Sequence, residues 1–156
     1  MTSKKHLLIV YHSKSGKNKK MADAVLRGAR HEEIGEVDVR FLQAFEASAD
    51  DLRWADGIIF GTPENFGYMS GALKDFFDRT FYEVEGEVDA KPFCLFIGAG
   101  NDGQGAVTSI RRICNGYNFK EIQEPVLVVG ELTETLENQC LELGMGMAAG
   151  LEAGIF

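Results

Sequence analysis

The chain has 156 residues, enough for one domain that buries about 70% of its unfolded surface without disulfide or metal staples. Its 45% apolar and 26% charged residues exclude collagen-like, low-complexity and disordered classes. Sixteen Lys and Arg against 24 Asp and Glu leave a net charge of −8, which argues against general binding of nucleic-acid backbones.

The first apolar run, Leu7 to Tyr11, is short, rich in branched residues and without polar alternation. That pattern predicts a strand covered on both faces. The basic start ahead of it has too short an apolar stretch for a secretory leader, so a cytoplasmic location is expected. Between about 17 and 30, Met21, Ala22, Val25, Leu26 and Ala29 recur at helical spacing. Val37 to Leu42 alternates like a strand with one wetter face, as near a sheet edge, and Ala49 to Trp54 fits a short helix.

Gly57 to Gly61 is the next buried run, and it leads into a turn-prone Thr62-Pro63-Glu64-Asn65-Phe66-Gly67. A helix is predicted over 70–81, with Leu73, Phe76, Phe77 and Thr80 on its inner face. Pro92 to Ile97 is a fourth strand, closed by the glycine-rich stretch from Gly98 to Gly105. A helix carrying Val107, Ile110, Ile113 and Cys114 follows, then a fifth strand over Pro125–Val129 and a last helix with Leu136, Cys140, Leu143, Met147 and Leu151. The alternation predicts a single α/β domain over 1–156 built on a parallel, doubly wound sheet. No apolar run reaches the ~20 residues that cross a bilayer. The three cysteines, at 94, 114 and 140, form no CxxC pair and sit in apolar surroundings, as small hydrophobic side chains do.

In such sheets ligands bind beyond the carboxyl ends of the strands, at the switch in strand order. Three of those ends carry glycine and small polar residues. His12-Ser-Lys-Ser-Gly-Lys-Asn18 enters a helix directly, an arrangement suited to a phosphate. It is not a nucleotide-triphosphate loop, because Tyr11 stands where that motif has its first glycine and Asn18 where it has Ser or Thr. Gly98-Ala-Gly100-Asn-Asp-Gly103 has GxGxxG spacing, but in the fourth βα unit, with no second mononucleotide half after it. These glycines are read as backbone that approaches a flat ligand closely.

The stretch Gly61-Thr-Pro-Glu-Asn-Phe-Gly-Tyr-Met-Ser-Gly-Ala-Leu-Lys-Asp-Phe-Phe-Asp-Arg-Thr80 resembles the flavodoxin-like superfamily, in particular its NAD(P)H-dependent FMN and quinone reductase branch. The resemblance implies a flavodoxin-like three-layer sandwich, with a five-stranded parallel sheet in order 2-1-3-4-5 and helices on both faces. It implies FMN as cofactor and NAD(P)H as electron donor, with a quinone, free flavin or other acceptor. Carried over residue by residue, Ser13, Lys14, Ser15, Gly16, Lys17 and Asn18 would hold the FMN phosphate. Thr62, Pro63, Glu64, Asn65, Phe66 and Gly67 would line the flavin ring. Gly98, Ala99, Gly100, Asn101, Asp102, Gly103 and Gln104 would lie beside its pyrimidine edge. No catalytic side chain and no metal is implied.

Two departures from the family pattern stand out. Asn18 occupies a position where many relatives have Thr, and lysines flank it. The long insertion after the fourth strand that tetrameric quinone reductases carry is missing, which argues against that tetramer and its full quinone pocket. The sequence does not fix the oligomer; the resemblance allows a homodimer, and the Gly- and Met-rich segment from Gly144 to Phe156 is the element that would present an apolar surface. An alternative is a flavodoxin-like carrier that docks redox proteins without using NAD(P)H, and the acidic run Glu83, Glu85, Glu87 and Asp89 is the patch it would use. A third reading keeps the fold and has lost the flavin.

Overall fold

In a computed structural model describing residues 4–13 and 16–156, the branched and aliphatic runs become the strands of one sheet. The strands are β1 (Lys5–Tyr11), β2 (Val37–Gln43), β3 (Gly57–Asn65), β4 (Tyr68–Met69), β5 (Pro92–Ala99), β6 (Lys120–Glu121) and β7 (Val126–Val129). They alternate with α1 (Gly16–Ala29), α2 (Ala49–Trp54), α3 (Gly71–Val84), α4 (Gln104–Gly116) and α5 (Glu134–Ala153). β1 pairs in parallel with β2 and β3, and β3 with β5. β6 runs beside the start of β5 and β7 beside its end, so the two short strands fill one interrupted edge position. The five positions follow the expected 2-1-3-4-5 order. β2 is at the opposite edge, as its alternating pattern suggested.

Successive strand residues point to opposite faces, and this divides the core in two. Leu8, Val10, Ile58, Phe60 and Leu95 pack with α2, α3 and α4; Leu7, Ile9, Ile59 and Phe96 pack with α1 and α5. On the first side, Tyr117 lies under α3. Its hydroxyl donates to the Phe77 carbonyl at 2.6 Å and shares a 2.8 Å hydrogen bond with the Thr80 hydroxyl.

Two segments differ from expectation. The turn-prone stretch after Gly61 continues as strand to Asn65 and doubles back as an antiparallel hairpin with β4. The segment from Gly144 onward, expected to be an apolar outer surface, packs inward. Gly144, Met147, Ala148, Gly150 and Leu151 are buried, leaving only Ile155 and Phe156 as exposed large apolar side chains there. That face of α5 is occupied by α1 of the same chain, so it is not available to a partner. Among the described residues, no helix is long and apolar enough to cross a membrane.

Candidate functional site

Strand register places the three marked loops side by side. Tyr11 is aligned with Gly61, and Pro63 with Gly98, so β1, β3 and β5 open their carboxyl ends onto one edge of the fold. The His12 backbone N–H donates to the Gly61 carbonyl at 3.0 Å, fixing the first loop to the second. Gly16 begins α1; Lys14 and Ser15 lie outside the described residues.

Asn18, in the first turn of α1, is only 3% exposed, and its Nδ2 has no hydrogen-bond partner among the described residues. A buried donor without an acceptor is costly unless a ligand or water completes it. This one lies where the helix presents its positive end. A phosphate oxygen is the acceptor such a place suits, so the residues present fit the anionic end of FMN. Gly98 lies against Asn18: a Cβ there would press on the Asn18 Oδ1 and the Lys17 side chain, which would have to shift.

Lys17 does not point out as a free phosphate-binding cation. Its ammonium donates to the carbonyls of Ala99 at 3.0 Å, Gly130 at 2.8 Å and Val128 at 3.3 Å. It thereby ties the start of α1 to the ends of β5 and β7. Partial removal from water pulls its pKa below the ordinary lysine value. The part played by Val128 and Gly130 had no signal in the sequence, since they lie over a hundred positions from Lys17 and offer only backbone oxygens.

The second loop is a stapled hairpin. Phe66 (φ 53°) and Gly67 (φ 70°) both have positive φ, as the central residues of a two-residue type I′ turn must. Phe66 at its tip is fully solvent-exposed. At the base, the buried Thr62 hydroxyl accepts from the Ser70 N–H at 2.9 Å and donates to the Pro63 carbonyl. The Ser109 hydroxyl accepts from the Met69 N–H at 3.3 Å, and Ser70 caps α3 by accepting from Leu73.

Glu64 turns toward α4, where its carboxylate accepts from the backbone N–H groups of Gly105 at 3.1 Å and Ala106 at 3.4 Å. An anion at a helix N-terminus is stabilised by the macrodipole, so Glu64 acts as a clamp between the second and third loops. Gly105 must be glycine for this close approach, since a Cβ there would meet the Gly67 carbonyl.

In the third loop, Gly98 and Ala99 are the buried end of β5, and Gly100, Asn101 and Asp102 are exposed. Asp102 accepts from the Gln104 N–H at 3.0 Å, and Gly103 (φ 74°) starts α4 from a left-handed conformation. All described candidates therefore sit along one edge, but their side chains divide. The Asn18 Nδ2 has no hydrogen-bond partner among the described residues and the tip of the hairpin is exposed, whereas the Lys17, Glu64 and Thr62 side chains hold loops in place.

Other residues fall outside this edge. Trp54 packs between His6, stacked at 4.3 Å, and the Arg40 guanidinium. The acidic run starts in the last turn of α3 and continues past it, at the opposite end of the sheet from the three loops, and Glu87 there is paired with Arg53 at 3.1 Å. All three cysteines are buried, and desolvation pushes the Cys140 thiol up to about 12. Among the described residues, no cluster of His, Cys, Asp and Glu could hold a metal ion. Phe45, exposed and edge-on to His12 at 6.2 Å, borders the first loop and was not anticipated.

Comparison with known proteins gives a consistent result. The family model described as NADPH-dependent FMN reductase matches residues 6–134. A flavodoxin of Aquifex aeolicus is 39% identical over 116 residues, covering 72% of this chain and 62% of that protein. An NAD(P)H dehydrogenase (quinone) of Acidithiobacillus ferrooxidans is 35% identical over 143 residues, covering 80% and 70%. The chain thus spans less than two thirds of the Aquifex protein. Among solved structures, a flavodoxin from the domain Archaea superposes with a TM-score of 0.80 at 22% identity, covering 94% of this chain and 99% of that one. A WrbA-like flavodoxin of Agrobacterium tumefaciens gives 0.75 at 19% identity, covering 96% and 98%. These two likenesses show the flavodoxin-like fold.

Proposed function

Because the chain belongs to the NADPH-dependent FMN reductase family, we propose that it binds FMN across the ends of β1, β3 and β5 and works as an NAD(P)H-dependent oxidoreductase. The observation that carries the site is the buried Asn18 amide at the start of α1, without a partner among the described residues, a donor placed for a phosphate oxygen. FMN, when bound, supplies the hydride and electron chemistry.

The chain's own residues position and polarise. Asn18 and the α1 N-terminus hold the phosphate. Pro63, Asn65, Phe66 and Gly67 line the ring. The 98–104 backbone borders the ring's polar edge, where N–H groups favour the negative charge of the reduced state. Glu64 and Lys17 keep these loops at fixed separation, so little reorganisation accompanies electron transfer. A quinone, a free flavin or another small acceptor takes the electrons. The protein acts in the cytoplasm as one domain over 1–156, without nucleic-acid or membrane partners. Any homodimer uses a face other than the buried side of α5.

The test is an anaerobic titration of the FMN-loaded protein with NADPH and NADH, followed by the flavin's visible absorbance. Bleaching within turnover time supports the reductase. A second reading, an electron carrier, is favoured by the similarity to the Aquifex flavodoxin. It predicts yellow protein that bleaches only with dithionite. Failure to retain FMN on desalting overturns both.

A further inference from the structure

A cleft of about 440 Å³ opens beside the hairpin, on the side of α4. Its walls include Gly67 and Tyr68 from the hairpin and Gln104, Thr108, Arg112 and Ile113 from α4. The cleft therefore shares Gly67 and Gln104 with the loops proposed to border the flavin. Gln104, Thr108 and Arg112 are spaced by four and share one helix face. That face leads from the third loop to a guanidinium about 12 Å along the helix, at 1.5 Å per residue.

Arg112 differs from the protein's other arginines. Arg27, Arg40, Arg53, Arg79 and Arg111 are each paired with a carboxylate, and Arg30 donates to the Val39 carbonyl. Among the described residues Arg112 has no such partner. On a chain of net charge −8, an anionic dinucleotide meets net repulsion, so an uncompensated cation beside the ring-lining loop is where its charge would be received. The partly exposed ring of Tyr68, at the same cleft, offers a face for a base. A second recess of about 480 Å³ also touches Arg112, but it lies toward Phe93 and the opposite end of the sheet, and Arg111 in it is neutralised by Glu121.

We propose that this cleft receives the adenosine end of the reduced dinucleotide, with Arg112 binding the 2′-phosphate that distinguishes NADPH from NADH. A planar guanidinium can grip a phosphate through two parallel hydrogen bonds, whereas a ribose hydroxyl gives it no charge to bind. The inference rests on the reductase reading, and its test separates the two. Binding of adenosine 2′,5′-bisphosphate and of 5′-AMP to the FMN-loaded protein is measured by calorimetry, for the native chain and for Arg112→Gln.

The bisphosphate is expected to bind at least about tenfold more tightly than AMP, and the substitution to remove most of that preference. In turnover, the ratio of kcat/KM for NADPH over NADH is expected to fall by about tenfold in the variant. Arg112 is exposed, so retained FMN absorbance and an unchanged circular dichroism spectrum verify that the variant folds. An equal preference in both proteins overturns the phosphate site, even if both dinucleotides are oxidised. A preference lost with Arg112, in a protein that oxidises neither dinucleotide, leaves the phosphate site standing and overturns the reductase reading.

Discussion

Phe66 is placed at a double cost. A non-glycine residue in the left-handed region is disfavoured by about 1–2 kcal/mol, and a fully exposed phenyl ring gains nothing from burial. The turn itself prefers Asn before Gly. Contact with the ring at the proposed flavin site would account for a residue that is poor for both the turn and solubility. Phe66→Asn is therefore expected to stabilise the unloaded protein by about 0.5–1 kcal/mol in urea denaturation. The same variant is expected to weaken FMN binding severalfold in a fluorescence titration. Stabilisation with unchanged affinity would remove Phe66 from the site. Glu64 differs: its carboxylate holds the start of α4, while the ligand contact expected of it is through its backbone N–H.

The α1–α5 pair was visible in the sequence only as two amphipathic patterns. Their contact is closer than either pattern implies, because glycines allow backbone to meet backbone. A Cβ on Gly144 would collide with the Val25 carbonyl, and one on Gly28 with the Leu141 carbonyl. Gly144→Ala gains about 1 kcal/mol of helix propensity, yet it forces two helices apart along a buried seam. A net destabilisation of about 1–3 kcal/mol is expected, measured as a lower urea midpoint. An unchanged or raised midpoint would mean that the seam accommodates the methyl group by sliding. This close packing also explains why the Gly- and Met-rich segment is interior: small residues in a helix mark close approach as readily as they mark a sticky surface.

Taken whole, the molecule joins its sheet faces to long-range polar anchors, and one of these gives an alkaline limit to stability. Burial raises the Tyr117 phenol to about 12, from about 10 when unfolded. Below pH 10 the phenol is protonated in both states and its contribution is intact. Between about 10 and 12 the unfolded chain releases the proton while the folded chain retains it, so stability falls as pH rises. Urea midpoints measured from pH 9 to 11.5 should decline for the native protein and decline less for Tyr117→Phe. Parallel declines would place the alkaline loss elsewhere, for instance in lysine deprotonation.

Strand order came only from the family resemblance, whereas strand and helix positions and the three loop locations were legible in the sequence because they depend on local signals. These are unbroken apolar runs for buried strands, period-3.6 stripes for helices, and glycine with small polar residues where backbone meets ligand. The stretch from Gly61 to Thr80 was sufficient to imply the family that the comparison then showed. Tertiary structure alone decided how the loops are held. The Lys17 ammonium reaching the carbonyls of Ala99, Val128 and Gly130, the Glu64 carboxylate spanning to α4, and the α1–α5 seam all join residues distant in sequence. Their partners are largely backbone atoms, which every residue possesses and which therefore leave no trace in composition or spacing.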